Sequence, residues 1–149
     1  VIERTDGEAD LKGWHVASNG ALEDTLFCEF DGKLIMSGGA IFKNAVLAME
    51  RSALHSLEMA ELTPDDIDIV VPHQANVRIV EASCKRLGIP FEKTSMTIHR
   101  TGNTSSASVP LALDHAVQEN RISKDDNVLL VGFGAGMTSA SAVLKWNGI

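Results

Sequence analysis

Cysteine is scarce in this chain, with only Cys28 and Cys84 among 149 residues. Two thiols cannot build the dense disulfide framework of a small secreted scaffold. The chain shows no basic start followed by an apolar run and a small-residue cleavage site, so a reducing cytoplasm is the expected setting. No apolar run approaches the ~20 residues that a membrane-spanning helix requires, which argues against a transmembrane role. Positive charge is also in deficit. Against 20 Asp and Glu there are 13 Lys and Arg, a formal charge of −7, and a generic nucleic-acid binder needs the opposite balance. His15, His55, His99 and His115 show no metal-ligand spacing with one another or with a cysteine pair, so no metal site is expected. There is no internal repeat, low-complexity tract or Pro/Gly-rich linker.

What remains is an ordinary globular composition, 44% hydrophobic, with a mean hydropathy near zero. Residues 1–149 therefore read as one domain with a single core. Val1-Ile2-Glu3-Arg4 looks like the tail of a strand running into the turn Thr5-Asp6-Gly7-Glu8, so the chain is expected to start inside an element. Trp14 to Ala17 is a strand closed by Ser18-Asn19-Gly20, and a short hairpin is expected around Phe27 to Gly32. From Ala40 to Leu62 the residues Phe42, Val46, Met49, Ala53, Leu57 and Ala60 recur at helical steps. Ile67 to Pro72 is a β-branched run ending at proline, which reads as a buried strand. Gln74 to Leu87 returns to helical period with Gly88 as its stop. Ser95 to His99 reads as another strand. Val109 to Val117 forms a helix that tolerates Pro110 only in its first turn, with Ser106 or Ser108 as cap. Asn127 to Phe133 and Ser139 to Trp146 close the chain as strands.

Strands alternating with helical crossovers predict an α/β fold built on a mainly parallel, five-stranded mixed sheet with layered helices. Ligands gather at the carboxyl ends of such strands. That rule selects three loops: Pro72 to Asn76, Arg100 to Thr104, and Gly132 to Gly136. His73 and Asn103 leave the same sheet edge in this scheme, and an imidazole N–H beside a carboxamide N–H is a pair of donors suited to a developing oxyanion or enolate. A structural histidine and a turn asparagine would occupy the same positions. The Gly-x-Gly-x-Gly loop could open backbone N–H groups to a ligand. It lacks the dinucleotide spacing, however, and a plain bend between adjacent strands would look the same.

Cys84 lies on an apolar stripe with Val77, Val80 and Leu87, so a buried inert thiol is expected there, and the same is expected of Cys28. Between His73 and Arg100 the chain carries Arg78, Lys85, Arg86, Lys93 and Arg100 against Glu81 and Glu92. Arg78 and Lys85, seven apart, share a helix face and could hold a phosphate or an acidic partner. A solvated face is the other reading.

Val71-Pro72-His73-Gln74-Ala75-Asn76, Gly102-Asn103-Thr104-Ser105-Ser106-Ala107-Ser108 and Gly132-Phe133-Gly134-Ala135-Gly136, in this order, resemble the C-terminal half of the β-ketoacyl-acyl carrier protein synthase III family, of the thiolase-like fold. Met36 to Lys43 resembles the segment that opens that family's long helix, and the likeness runs from Met36 to Trp146. The resemblance implies decarboxylative Claisen condensation, in which an acyl group from acyl-CoA, held on a cysteine, is attacked by the enolate of malonyl-acyl carrier protein. His73 and Asn103 would donate to the malonyl thioester oxygen. Phe133 would sit by the malonyl carboxylate, and the Gly134-Ala135-Gly136 backbone would help form the oxyanion hole. Asn76 would line the pantetheine tunnel, while Lys43, Arg78, Lys85 and Arg86 would meet the carrier protein or CoA phosphates. No cofactor is implied beyond the acyl-CoA and phosphopantetheine-linked substrates. The full-length enzyme is expected to be a cytoplasmic homodimer with no nucleic-acid or membrane partner.

The family's nucleophilic cysteine belongs to its N-terminal half, and neither Cys28 nor Cys84 stands in that motif. The chain thus resembles half an active site, a C-terminal domain whose nucleophile-bearing half is absent. The alternative is a non-catalytic carrier-binding or heterodimer subunit of the same fold. A plain thiolase is the weaker option, because no cysteine follows Cys84 to serve as its base.

Overall fold

In the computed structural model, which describes residues 10–148, β-branched alternation sorts the side chains between two faces of one sheet. The strand tail and turn expected over residues 1–8 lie outside the described residues. The elements in order are β1 (Leu11–Ser18), a hairpin of β2 (Leu26–Cys28) and β3 (Leu34–Met36), α1 (Gly38–Met59), β4 (Ile69–Pro72) and α2 (Val77–Leu87). They continue with the single turn α3 (Ile98–Thr101), then α4 (Ser108–Gln118), β5 (Asn127–Gly134) and β6 (Thr138–Lys145). The main sheet runs β1-β6-β5-β4. Val70, Leu129, Val131 and Val143 face the layer of α1 and α2, where they meet Val46, Met49, Leu57 and Ile79. Their neighbours Ile69, Val71 and Val128 point the other way, against Ala112 and Ala116 of α4.

The helix α1 seats unusually close to β1 because Gly13 has no side chain. A Cβ there would lie 2.1 Å from the Ser56 carbonyl oxygen, so any larger residue would lift the helix. Ser52 and Ser141 fasten the same helix to β6. The Ser52 hydroxyl donates to Ser141 Oγ at 3.0 Å, and the Ser141 hydroxyl donates to the Ser52 carbonyl at 2.7 Å. The Asn76 side chain caps α2 by accepting from the Arg78 amide at 2.9 Å, and Gly88 ends the helix in the left-handed region at φ 74°. Among the described residues no helix is long and apolar enough to cross a membrane.

Two expectations about the sheet need correction. Among the described residues it has four strands rather than five, and of these only β4 and β5 are parallel; β6 pairs antiparallel with both β5 and β1. The link from β5 to β6 is Ala135-Gly136-Met137, far too short for a crossover, so the two strands must be antiparallel. The expected strand from Ser95 to His99 shrinks to one parallel bridge, Val70 to Thr94, with the Ser95 amide donating to the Val70 carbonyl at 2.8 Å. Beyond that rung, the amides of Thr97 and Ile98 donate to the side-chain oxygen of Gln74, at 2.9 and 3.1 Å, and the chain coils into α3. A side chain has taken the place of a neighbouring strand.

The expected serine cap of α4 is also absent. Ala107 occupies that position without a side-chain bond, because the Ser108 hydroxyl is committed elsewhere. Pro110 falls in the first turn of the helix, as its missing N–H requires.

Gln74→Leu is expected to destabilise the fold by about 3 kcal/mol or more. It would strand two amides and two carbonyls, and each buried orphan costs roughly 1–3 kcal/mol. Urea unfolding of the variant against wild type measures this, and a loss below about 1 kcal/mol would contradict the clamp.

Candidate functional site

The parallel pair β4 and β5 brings the first and third selected loops together. The His73 amide donates to the Val131 carbonyl at 2.8 Å, so the ladder holds the histidine backbone one step past β4. Gly132 of β5 lies beside it. A Cβ at that position would come within 3.3 Å of His73 Cβ, a fit that only glycine makes comfortable. Next along the strand, the Phe133 ring meets the His73 imidazole edge-on with centroids 5.5 Å apart. On its other side His73 Nδ1 is 2.6 Å from Ser108 Oγ at the start of α4.

His73, Gly132 and Phe133 form one wall of an open, mostly apolar cleft of about 520 Å³, with Ser108 behind the imidazole. Its lining includes His73, Ser106, Val109, Phe133, Gly134 and Val16. The sheet supplies the floor, since α4 lies over β4 and β5, whereas Val16 of β1 is 68% exposed. Apolar walls around a single imidazole would strengthen any charge interaction formed there. Burial also pushes the His73 pKa below its ordinary value, so the imidazole is held neutral near pH 7.

Asn103 stands outside the cleft wall, exposed on the segment that reaches the wall at Ser106. Its side-chain oxygen accepts from the Ser105 amide at 2.9 Å, which orients the carboxamide and leaves its NH₂ without a partner among the described residues. His73 Nε2 is likewise unpartnered there. What connects these two groups is Gln74, which is fully buried. Its NH₂ donates to the Pro72 and Ser95 carbonyls at 2.8 and 3.1 Å, while its oxygen takes the amides of Thr97 and Ile98. One carboxamide ties the His73 loop to the segment leading to Asn103.

The glycine-rich loop divides. Gly134 ends β5 and lines the cleft, whereas Ala135 and Gly136 make the hairpin turn and are not wall residues. Gly136 adopts φ 123°, which a side chain would resist. Asn19 and Met137 exchange two backbone bonds of 2.8 and 3.0 Å, fixing this turn to the end of β1. Asn76 is exposed, with its side-chain oxygen employed in capping α2.

Cys84 is buried, 3.3 Å from Thr94 Oγ1, and burial pushes its pKa up, as an inert thiol requires. Cys28 departs from expectation. It is exposed at the end of β2, where it pairs with Leu34 of β3, a strand exposed along its whole length. Neither thiol lines the cleft.

The four basic candidates separate by engagement. Arg86 is drawn to Glu50 of α1 at 2.6 Å, and the Arg78 guanidinium lies over the Phe42 ring at 5.4 Å. Lys43 and Lys85 are exposed and have no ion-pair partner among the described residues. Lys93 donates to the Ile67 carbonyl, so it serves the fold. Sequence reasoning missed the roles of Gln74 and Ser108. Both sit inside the motifs already singled out, but nothing in residue type distinguishes a buried clamp from a loop glutamine, or a histidine partner from a helix cap.

Comparison with known proteins finds the same pattern over most of the chain. Residues 57–146 match the family model described as 3-oxoacyl-[acyl-carrier-protein (ACP)] synthase III C terminal. A beta-ketoacyl-[acyl-carrier-protein] synthase III from Listeria welshimeri is 45% identical over 146 residues, which is 98% of this chain and 47% of the relative. The corresponding protein of Roseiflexus is 41% identical, covering 98% of this chain and 49% of the relative. Among solved structures, the 3-oxoacyl-[acyl-carrier-protein] synthase III of Aquifex aeolicus superposes with a TM-score of 0.92 at 36% identity, over 96% of this chain and 46% of that one. The chain spans about half the length of the curated relatives it matches.

The burial of His73 has a consequence for stability. With its folded pKa below the ordinary 6.5, the unfolded chain binds the proton first as pH falls. The contribution of His73 to stability is therefore greatest above 6.5 and declines as pH drops through that value toward the folded pKa. Denaturant midpoints across this range should fall less steeply in His73→Asn than in wild type. An NMR titration placing His73 at or above 6.5 would contradict this.

Proposed function

The chain belongs to the 3-oxoacyl-[acyl-carrier-protein] synthase III C-terminal family, and from that premise we propose that its cleft carries the enolate-forming half of a decarboxylative condensing enzyme. The observation that carries the reading is the pair of side-chain nitrogens, His73 Nε2 and Asn103 Nδ2, that have no partner among the described residues and are linked through buried Gln74. A malonyl thioester is the substrate that such a pair suits. Loss of CO₂ leaves the C–C bonding electrons on the α-carbon and the thioester oxygen, and two donors at that oxygen stabilise the enolate as it forms. Phe133, edge-on to His73, presents an apolar surface to the departing carboxylate, where poor solvation favours the neutral product CO₂.

The enolate carbon then attacks an acyl thioester, forming the new C–C bond and releasing a thiolate. Neither Cys28 nor Cys84 lines the cleft, so the thiol carrying the acyl group is a residue other than these two. The Gly134 end of β5 supplies backbone beside the reacting carbonyl. Substrates of this kind arrive as acyl-CoA and as malonyl groups on acyl carrier protein, whose phosphopantetheine arm and acidic surface suit Lys43, Lys85 and Arg78. Arg86 contributes less, since Glu50 already neutralises it.

In the intact protein, His73→Ala and Asn103→Ala should each lower the decarboxylation rate of malonyl-acyl carrier protein by ~10²-fold or more, the scale of losing one oxyanion donor. Release of labelled CO₂ measures it. Wild-type rates in either variant would remove these roles.

A further inference from the structure

The hydroxyl of Ser108 is completely buried and has two polar neighbours. The Gln74 amide donates to Ser108 Oγ at 3.1 Å, and His73 Nδ1 lies 2.6 Å from the same oxygen. The amide can only donate, so one lone pair of Oγ is taken. The hydroxyl hydrogen then needs an acceptor, and among the described residues Nδ1 is the one within reach. Were Nδ1 protonated, Oγ would accept twice and its own hydrogen would be left buried without a partner, at the full desolvation penalty of an orphaned donor. With Nδ1 bare, the Gln74 amide hydrogen and the Ser108 hydroxyl hydrogen both find acceptors. A neutral imidazole carries one ring hydrogen, which must then reside on Nε2.

We propose that Ser108 is a positioning residue that holds His73 as its Nε2–H tautomer, so that the imidazole meets a substrate oxygen as a hydrogen-bond donor while remaining uncharged. The functional part of this inference rests on the reading of the cleft given above; the tautomer assignment does not. The chain of fixation runs from α4 through Ser108 to the ring, and the same hydroxyl gathers the backbone of Gln74. One serine therefore orients the histidine and braces the clamp beside it. Its commitment to these two groups also explains why a serine at the start of α4 leaves the helix without a side-chain cap. The lowered affinity of His73 for a second proton works in the same direction, keeping the ring neutral.

The test uses the intact protein labelled with ¹⁵N-histidine, with His73 assigned by the signals lost in His73→Asn. Long-range ¹H–¹⁵N correlations above the titration range should show Nε2 protonated and Nδ1 bare. A protonated Nδ1 overturns the proposal. In Ser108→Ala, and to a smaller extent in Ser108→Cys with its weaker donor, the spectrum should move toward a mixture of tautomers. The kcat for malonyl decarboxylation should fall about tenfold or more with KM little changed, since the lost interaction acts on the rate step. An unchanged pure Nε2–H tautomer in folded Ser108→Ala or Ser108→Cys would overturn the role of Ser108. The functional reading fails separately, on a His73→Ala protein that decarboxylates at the wild-type rate, and that result leaves the tautomer measurements standing.

Discussion

The site depends on one buried carboxamide. Gln74 has two N–H hydrogens and two oxygen lone pairs, and each meets a backbone group: the carbonyls of Pro72 and Ser95, and the amides of Thr97 and Ile98. A fully satisfied amide in a water-free setting is stiff, because moving any one partner orphans a polar group. The interaction therefore fixes the exit of β4 relative to the segment that leads to Asn103, although no strand joins them beyond a single bridge. It also satisfies backbone groups of buried Ser95 and Thr97, the carbonyl of the first and the amide of the second.

The rest of the molecule serves that clamp. Packed α1 and α2 give the sheet one firm face, brought close at Gly13 and fastened by Ser52 and Ser141. On the other face α4 covers β4 and β5, so the remaining sheet forms the floor of an open cleft. His73 is fixed on three sides, by the β5 backbone at Val131, by the Phe133 ring and by Ser108. Gly132 lets β5 approach His73, while Gly134 and Gly136 leave room for Thr138 beside the turn. His73 and Asn103 are both oriented here by uncharged groups, the Ser108 hydroxyl and the Ser105 amide.

Helical and strand periodicity made most elements legible. The Phe42 to Ala60 stripe became α1, the run before Pro72 became β4, and Gly88 ended α2 as its type suggests. The failures share a physical cause. Ser95 to His99 has the composition of a strand, but its hydrogen bonds go to a side chain 20 or so residues earlier, which no local pattern encodes. The antiparallel return of β6 turned on the length of one loop. Ser108 read as a helix cap because Ser at a helix start usually is one. Within the site, His73, Phe133 and Gly134 were legible as loop residues at strand ends and do line the cleft. Asn103 was legible by type but lies off the wall, and Arg86 was assigned outward although Glu50 holds it. Exposure of Cys28 could not be read because a short hairpin has no periodicity to place it.

The central claim is that His73 and Asn103, joined through Gln74, serve a single oxygen. A crystal structure of the intact protein bound to a malonyl thioester analogue that cannot lose CO₂ tests it most directly. The account predicts the thioester carbonyl oxygen within hydrogen-bond distance, roughly 2.7–3.2 Å, of both His73 Nε2 and Asn103 Nδ2. A bound analogue whose carbonyl oxygen meets neither nitrogen, or only one of them, would contradict it.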